Sequence, residues 1–88
     1  MNKCFFMGRI ITDVDFKFML DNKNDSISTF NIELSNTSII KAITFNERAD
    51  YSYRKLEKED IVLIEGRLDS MLNVIVQEVE KLDVIKNK

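Results

Sequence analysis

Residues 38–68 read SIIKAITFNERADYSYRKLEKEDIVLIEGRL, a stretch in which the hydrophobic pattern changes twice. Its first part, residues 38–46, has the period of two that is typical of a strand, with apolar side chains on both faces. Residues 47–58 then carry apolar side chains at the i, i+4 and i+7 spacing of a helix, with Asn46 in the position of an N-cap. Residues 61–68 return to a strand pattern. The stretch therefore predicts a strand, a helix and a strand.

On both sides of this stretch the pattern is that of further strands. Polar residues that favour turns separate them at 21–26, at Ser35-Asn36-Thr37 and at Asp69-Ser70. The first two strand patterns together form one long strand that we expect to bend near Gly8 or Asp13. The predicted strands outside the opening stretch are residues 2–11, 14–20, 28–34 and 72–79.

The resulting order is five short antiparallel strands with one helix between the third and the fourth. This is the plan of the OB-fold, an all-β, five-stranded Greek-key barrel. An open α+β sheet covered by the helix is the alternative. A closed barrel is favoured because it removes sheet edges, and the chain has no proline with which to block them. We expect one OB-fold domain over residues 1–84 and a frayed polar end at 85–88.

Composition gives no specific indication of catalysis, and we do not expect an enzyme. The chain has 88 residues, of which 44% are hydrophobic and 32% charged, and this is typical of a single globular domain. It has no histidine, one cysteine (Cys4) and only two glycines, far apart, so metal clusters and phosphate loops are not indicated. We expect no cofactor, no metal and no small-molecule substrate. No apolar run is long enough to span a membrane and no secretory signal is evident, so we expect a cytoplasmic protein.

The charge balance limits any role with nucleic acid. Thirteen basic side chains stand against 15 acidic ones, for a net charge of −2. Nucleic-acid binders usually carry a basic surplus, because neutralising phosphates supplies most of their non-specific affinity. Binding of DNA would have to depend on a local basic face. The cations of the predicted helix, Arg48, Arg54 and Lys55, are expected only to be solvated.

Several segments match one family in order and in spacing. Met1-Asn2-Lys3 leads through an apolar strand to Met7-Gly8-Arg9-Ile10, and residues 13–18 read DVDFKF. Further on, residues 28–32 read STFNI and residues 64–68 read IEGRL. These segments resemble the M-N-K start, the D-P-E-hydrophobic-R-Y segment, the A-N-F-S-L strand and the I-E-G-R-L signature of the bacterial single-stranded DNA-binding proteins. The resemblance covers roughly residues 1–80 and includes the spacing of Phe45, Ala49, Leu56, Lys58 and Val62.

This resemblance implies an OB-fold, binding of single-stranded DNA without chemistry, and assembly into dimers or tetramers. The chain also departs from the family where the family binds. The basic, tryptophan-bearing loop between strands two and three is reduced to Ser35-Asn36-Thr37, and the last hairpin to Asp69-Ser70. No tryptophan is present, and the sequence lacks the acidic tail of the family. We expect a shortened member of this family.

The third strand carries the best candidate site. Its row Ile39, Lys41, Ile43 and Phe45 matches the family pattern W-x-R-x-V-x-F. Phe45 is a platform on which a base could stack, and Lys41 on the same face could contact phosphate. The same row could instead cover a subunit interface, with Lys41 reaching out to water. The sequence leaves both interpretations open.

Four further cations are candidates for contact with nucleic acid. Lys3 and Arg9 share a face with the apolar residues of strand one and suit either phosphate contacts or the rim of a dimer interface. Lys17 matches the family arginine, whereas Phe18 falls on the opposite face and is expected in the core. Arg67 could reach a groove. The candidate nucleic-acid-binding residues are thus Phe45, Lys41, Ile39, Lys3, Arg9, Lys17 and Arg67.

Two functional hypotheses follow. The first is an oligomeric OB-fold module, acting in DNA replication, that binds single-stranded DNA without sequence preference, as a homodimer or homotetramer formed through strand one, from Lys3 to Arg9. The second is a protein-interaction or assembly OB-fold domain that has lost nucleic-acid binding. The acidic balance, the absent tryptophans and the short loops favour the second hypothesis.

Overall fold

A computed structural model describes residues 3–19 and 25–82. Six strand segments and one helix follow one another along the chain. They are β1 (Cys4–Ile10), β2 (Asp15–Phe18), β3 (Ser26–Leu34), β4 (Ile39–Phe45), α1 (Glu47–Lys55), β5 (Ile61–Leu68) and β6 (Val74–Lys81). The predicted helix between the third and fourth strands is therefore present. The expected frayed end at 85–88 lies outside the described residues.

The strands form a closed barrel. Their order is β1-β5-β6-β4-β3-β2, and β1 pairs in addition with β3, which closes the first five of these strands into a ring and leaves β2 outside it. This closing register places Gly8 opposite Leu34 and Ile10 opposite Ile32. The prediction of a five-stranded OB-fold barrel is confirmed, and the open sheet is excluded. One expectation was wrong: the pairing of β4 with β6 is parallel, not antiparallel.

β1 and β2 are the two halves of the long strand that the sequence predicted. Both pair with β3, β1 through residues 8–10 and β2 through residues 15–18. Between them the backbone N–H of Ile11 donates to Asn31 O at 3.0 Å. The bend therefore lies near Asp13. Gly8 has a different role, because a Cβ there would clash with Ile32 Cγ2 and lie 2.6 Å from Glu33 O. Only glycine permits the close approach of β1 to β3.

The barrel interior is filled by side chains that alternate inward from every strand of the closed ring. Two polar side chains, Ser28 and Thr44, also point inward, and their hydroxyl groups are hydrogen-bonded to each other. Thr44 Oγ1 donates in addition to Ser28 O at 3.3 Å, so this buried pair is satisfied. The buried apolar core consists of Ile10, Phe30, Ile32, Ala42, Leu56, Val62, Ile64, Val74 and Val76.

The helix begins at Glu47 as predicted but ends earlier. It stops at Lys55 rather than at residue 58, because Leu56 has extended backbone angles and turns its side chain into the core. Asn46 is the N-cap residue, but its side chain makes no capping hydrogen bond. Asn46 Oδ1 instead accepts the N–H of Ser26 at 3.0 Å, and Asn46 N–H donates to Ser26 O at 2.9 Å. Asn46 therefore ties the end of β4 to the start of β3.

The last hairpin is longer than the predicted Asp69-Ser70 turn. β6 begins only at Val74, because Asp69 Oδ1 accepts the N–H groups of Met71 at 2.8 Å and Asn73 at 2.9 Å. Backbone hydrogen bonding, first from Asn73, holds the pKa of Asp69 below its usual value. The loop leaves Met71 and Leu72 exposed at its tip.

Phe18 is not in the core as expected; 64% of the residue is exposed. The reason is the position of β2, which, among the residues that the structure describes, pairs only with the first part of β3, Ser26 to Thr29, and lies at the end of the strand order. Its inward side therefore meets α1 rather than the barrel interior. Within residues 3–19 and 25–82, no helix is long and apolar enough to cross a membrane.

Candidate nucleic-acid interface

The outward side of β4 carries the row that the sequence singled out. The inward residues Ala42 and Thr44 are fully buried, so the residues that alternate with them along β4 face outward. Phe45 is 40% exposed and Ile39 is 59% exposed. The ring of Phe45 thus points away from the barrel interior and reaches solvent. We call the outward side of β4, with the outward residues of the strands beside it, the β4 face.

Lys17 of β2 lies on this face as well, two strands away from Phe45. Phe45 lies opposite Ile27 on β3, and Ile27 lies opposite Lys17 on β2. Neighbouring strands are about 4.8 Å apart, so the backbones of Lys17 and Phe45 are separated by roughly 10 Å. The long side chain of lysine spans much of that distance. One aromatic ring and one ammonium group therefore share the edge of the β4 face.

Arg67 joins the same face from the other side. The parallel pairing places Ile43 of β4 opposite Ile75 of β6, and Ile75 lies opposite Arg67 of β5. Arg67 is exposed, while Ile43 and Ile75 are half-buried. Lys41 lies opposite Asn31 of β3. The β4 face is thus an apolar floor with cations on its two sides and near its middle.

These cations differ from the others in their partners. Among the described residues, no ion pair involves Lys17, Lys41 or Arg67. Each of these side chains is exposed. Because none of the described carboxylates forms an ion pair with them, they are available to contact phosphate groups, although Asp69 lies close enough to Arg67 for the two charges to attract.

Lys3 and Arg9, the other two candidate cations, are engaged. Lys3 Nζ lies 3.0 Å from Glu65 Oε2. Arg9 bridges two carboxylates, at 2.7 Å from Glu33 and 2.6 Å from Glu59. Hydrogen bonds to Glu59 and then to Glu33 raise the pKa of Arg9 above its usual value. Arg9 therefore fastens β1 to β3 and to the turn before β5.

The outward side of β1 is apolar, as predicted. Phe5 is 64% exposed and Met7 is 59% exposed, and Leu63 of β5 lies opposite Met7. We call this surface the β1 face. Pairing with β3 begins only at Gly8, so, within the part of the chain that the structure describes, the first half of β1 is paired on one side only, with β5. The first half of β1 thus presents an unpaired backbone edge.

Sequence reasoning missed part of the β4 face. Ile75 was not included, because only the parallel pairing of β4 with β6 brings it beside Ile43. Asn31 could have been found, since it alternates outward on the strand that forms a hairpin with β4. No group of three or more carboxylate, cysteine or histidine side chains within the described ranges could hold a metal ion.

Comparison with known sequences and structures separates what is general from what is specific. No family model matches the chain. No curated protein matches it either. Solved structures do resemble it. The SSB domain of a Synechococcus protein aligns with a TM-score of 0.80 at 18% identity, covering 90% of this chain and 93% of that one. The small single-stranded DNA-binding protein of Streptomyces coelicolor gives a TM-score of 0.80 at 15% identity, covering 92% and 94%.

A longer protein shows the same likeness. The wild-type single-stranded DNA-binding protein of Thermus aquaticus aligns with a TM-score of 0.86 at 18% identity. All of this chain is covered, but only 43% of that one. At such identities the likeness concerns the path of the backbone. The chain therefore has the OB-fold of the bacterial single-stranded DNA-binding proteins that it resembles in sequence.

Proposed function

We propose that this protein binds single-stranded DNA, without sequence preference, on the β4 face. The observation that carries the proposal is the outward ring of Phe45 on a face whose cations have no carboxylate partner in the described residues. Bases would stack on Phe45 and lie over Ile39 and Ile43. Phosphates would contact Lys17, Lys41 and Arg67. Stacking and charge are indifferent to base identity, so binding would not depend on sequence.

The affinity of one copy would be modest. Stacking on one aromatic ring contributes about 1–3 kcal/mol, and the chain contains no tryptophan. Binding through three cations would be strongly reduced by salt. Several copies on one strand would offset this weakness through their high effective concentration. Such an activity would belong to a cytoplasmic accessory of DNA replication rather than to an enzyme.

Assembly through strand one supplies those copies. The unpaired edge of Cys4–Met7 is a template for pairing with the same edge of a second chain. Two-fold pairing there would join two barrels into one continuous sheet. The apolar Phe5 and Met7 beside the edge would then be available for a further pair of copies. We propose a homodimer or homotetramer built in this way.

Titration of fluorescent oligo-dT, followed by anisotropy at low and moderate salt, tests the function. We expect binding at low salt and Phe45→Ala to weaken it roughly tenfold or more, because a stacking platform is lost. Arg54→Ala is the control, since Arg54 lies on α1 and pairs with Asp50 at 2.9 Å. No binding even at low salt would overturn the proposal. Equal losses in both variants would remove the role of Phe45.

A further inference from the structure

A second surface, on the back of β2, is unrelated to the β4 face. An open groove of about 660 Å³ lies between β2 and α1, and its lining includes Phe16, Phe18, Glu47 and Asp50. Phe18 is 64% exposed, and Tyr53 of α1 is 58% exposed. Contiguous exposed aromatic side chains of this kind usually mark a binding surface.

Phe16 supports both of these exposed rings. The half-buried Phe16 contacts Phe18 edge to face at a centroid distance of 5.4 Å. Phe16 also contacts Tyr53, at 5.1 Å. Phe16 therefore anchors two rings that are themselves open to solvent. A ligand would meet a surface that needs little rearrangement on binding.

The backbone beside these rings has a free side as well. Among the described residues β2 pairs only with β3, so the outer edge of Asp15–Phe18 has no strand partner. An exposed edge of this kind can accept an extended peptide as an additional strand. In such a strand alternate side chains point to one face, and here that face is the aromatic groove.

The charge of the groove determines which side chains of a docked peptide it would favour. Glu47 has no ion pair within residues 3–19 and 25–82. Asp50 pairs at 2.9 Å with Arg54, which also lines the groove, so the unpaired charge of the lining is that of Glu47. The faces of aromatic rings are also negative. A phosphate backbone would be repelled, whereas arginine or lysine would be attracted by the carboxylate and by the rings. We propose that this groove and the edge of β2 form a docking site for an extended segment of a partner protein that carries arginine or lysine at alternate positions.

Fluorescence anisotropy with a labelled peptide of alternating arginine and valine tests this proposal. Phe18→Ala should weaken peptide binding about tenfold, the loss expected when a cation gives up a desolvated aromatic face. Phe5→Ala is the matched control, because Phe5 is also 64% exposed but lies on the β1 face. Glu47→Gln should weaken binding and reduce its salt dependence. Thermal melts would establish that each variant is folded.

Four results would overturn the proposal. The first is a peptide of alternating glutamate and valine that binds as tightly as the arginine peptide, and the second is wild-type binding by both Phe18→Ala and Glu47→Gln. Loss of oligo-dT binding in Phe18→Ala as large as its loss of peptide binding would assign the groove to nucleic acid. A shift in sedimentation caused by Phe18→Ala alone would assign it to a second copy. Loss of oligo-dT binding in Phe45→Ala has no bearing on this groove.

Discussion

The β4 face and the β1 face both expose large apolar side chains, but they differ in what surrounds those side chains. On the β4 face, Lys41 and Arg67 have no ion pair with any described residue. On the β1 face, Lys3 pairs with Glu65 at 3.0 Å, and Glu78 lies opposite Glu65 on the next strand. The same barrel thus presents one surface on which Lys41 and Arg67 form no ion pair with the described residues and one on which Lys3 is paired with a carboxylate. Net charge alone conceals this difference.

The two surfaces also differ in their backbones. Every strand beneath the β4 face is paired on both sides except β2, which lies at the end of the order. The first half of β1 has one unpaired edge among the described residues. β4 itself has no open edge in the described part of the chain and interacts through its side chains, whereas the open edge of β1 also offers hydrogen bonds to another strand. This difference agrees with the proposed binding of nucleic acid on the β4 face and the proposed self-assembly through β1.

Removal of positive charge from the β4 face is expected to have the largest effect, and that effect should be on oligo-dT binding rather than on self-assembly. Replacing Lys17, Lys41 and Arg67 together by glutamine should weaken oligo-dT binding on the order of 100-fold, since a charge pair at contact distance in water contributes about 1 kcal/mol. The slope of log affinity against log salt should also fall by about 2. Lys3→Gln, which removes a cation that is already paired, should leave both quantities nearly unchanged. A larger loss in Lys3→Gln than in the triple variant would reverse our assignment.

A matched pair of substitutions separates binding from assembly. Met7 and Ile39 are each 59% exposed, on the β1 face and the β4 face respectively. Met7→Glu should weaken self-association about tenfold or more, because burying the methionine contributes about 1.5–3 kcal/mol, and should leave binding per site intact. Ile39→Glu should weaken oligo-dT binding and leave self-association intact. Sedimentation velocity and oligo-dT titration measure the two effects.

The comparison fails if the two substitutions act alike. Equal loss of assembly in both variants would place Ile39 in a subunit interface, the alternative that the sequence left open. Equal loss of oligo-dT binding would extend the DNA site over the β1 face.

The smallest effect concerns the hairpin that follows Arg67. The pKa of Asp69 is lowered in the folded state, so its ionised form stabilises the fold at pH values above its unfolded pKa of about 3.9. This stability is lost as the pH falls through the lower folded value. Asp69→Ala should therefore lower the Tm modestly at pH 7, and the difference from wild type should shrink below about pH 4. Asp69→Asn keeps an oxygen acceptor and should lose less. A constant difference across this pH range would show that the charge has no role.

The β4 row could be read directly from the sequence. Alternation placed Ile39, Lys41 and Phe45 on one face, and the structure places them there. Alternation failed for Phe18, because it predicts which side of a strand a residue occupies but not what covers that side. β2 extends past the barrel, so its inward side meets only the helix and leaves Phe18 exposed.

The prediction for the hairpin after Arg67 was wrong for a similar reason. Asp69-Ser70 has the composition of a tight turn, yet the Asp69 carboxylate also accepts the N–H of Asn73 at 2.9 Å. Because this contact keeps Asn73 in the turn, β6 begins at Val74. Composition predicts that a turn occurs, while its length depends on which backbone groups the side chains reach.

The order of strands and helix along the chain, the inward and outward sides of each strand, and the absence of histidine all follow from the sequence, because they depend on spacing and composition. Which cations are free depends on the folded chain. Arg9 and Arg67 are equally basic in the sequence, but closure of the barrel brings Glu33 and Glu59 to Arg9. The antiparallel pairing of β5 with β6 places Arg67 opposite Ile75, and the parallel pairing of β6 with β4 places Ile75 opposite Ile43 on the face of Phe45. Contacts between residues distant in the chain are set by strand pairing, which no local pattern encodes.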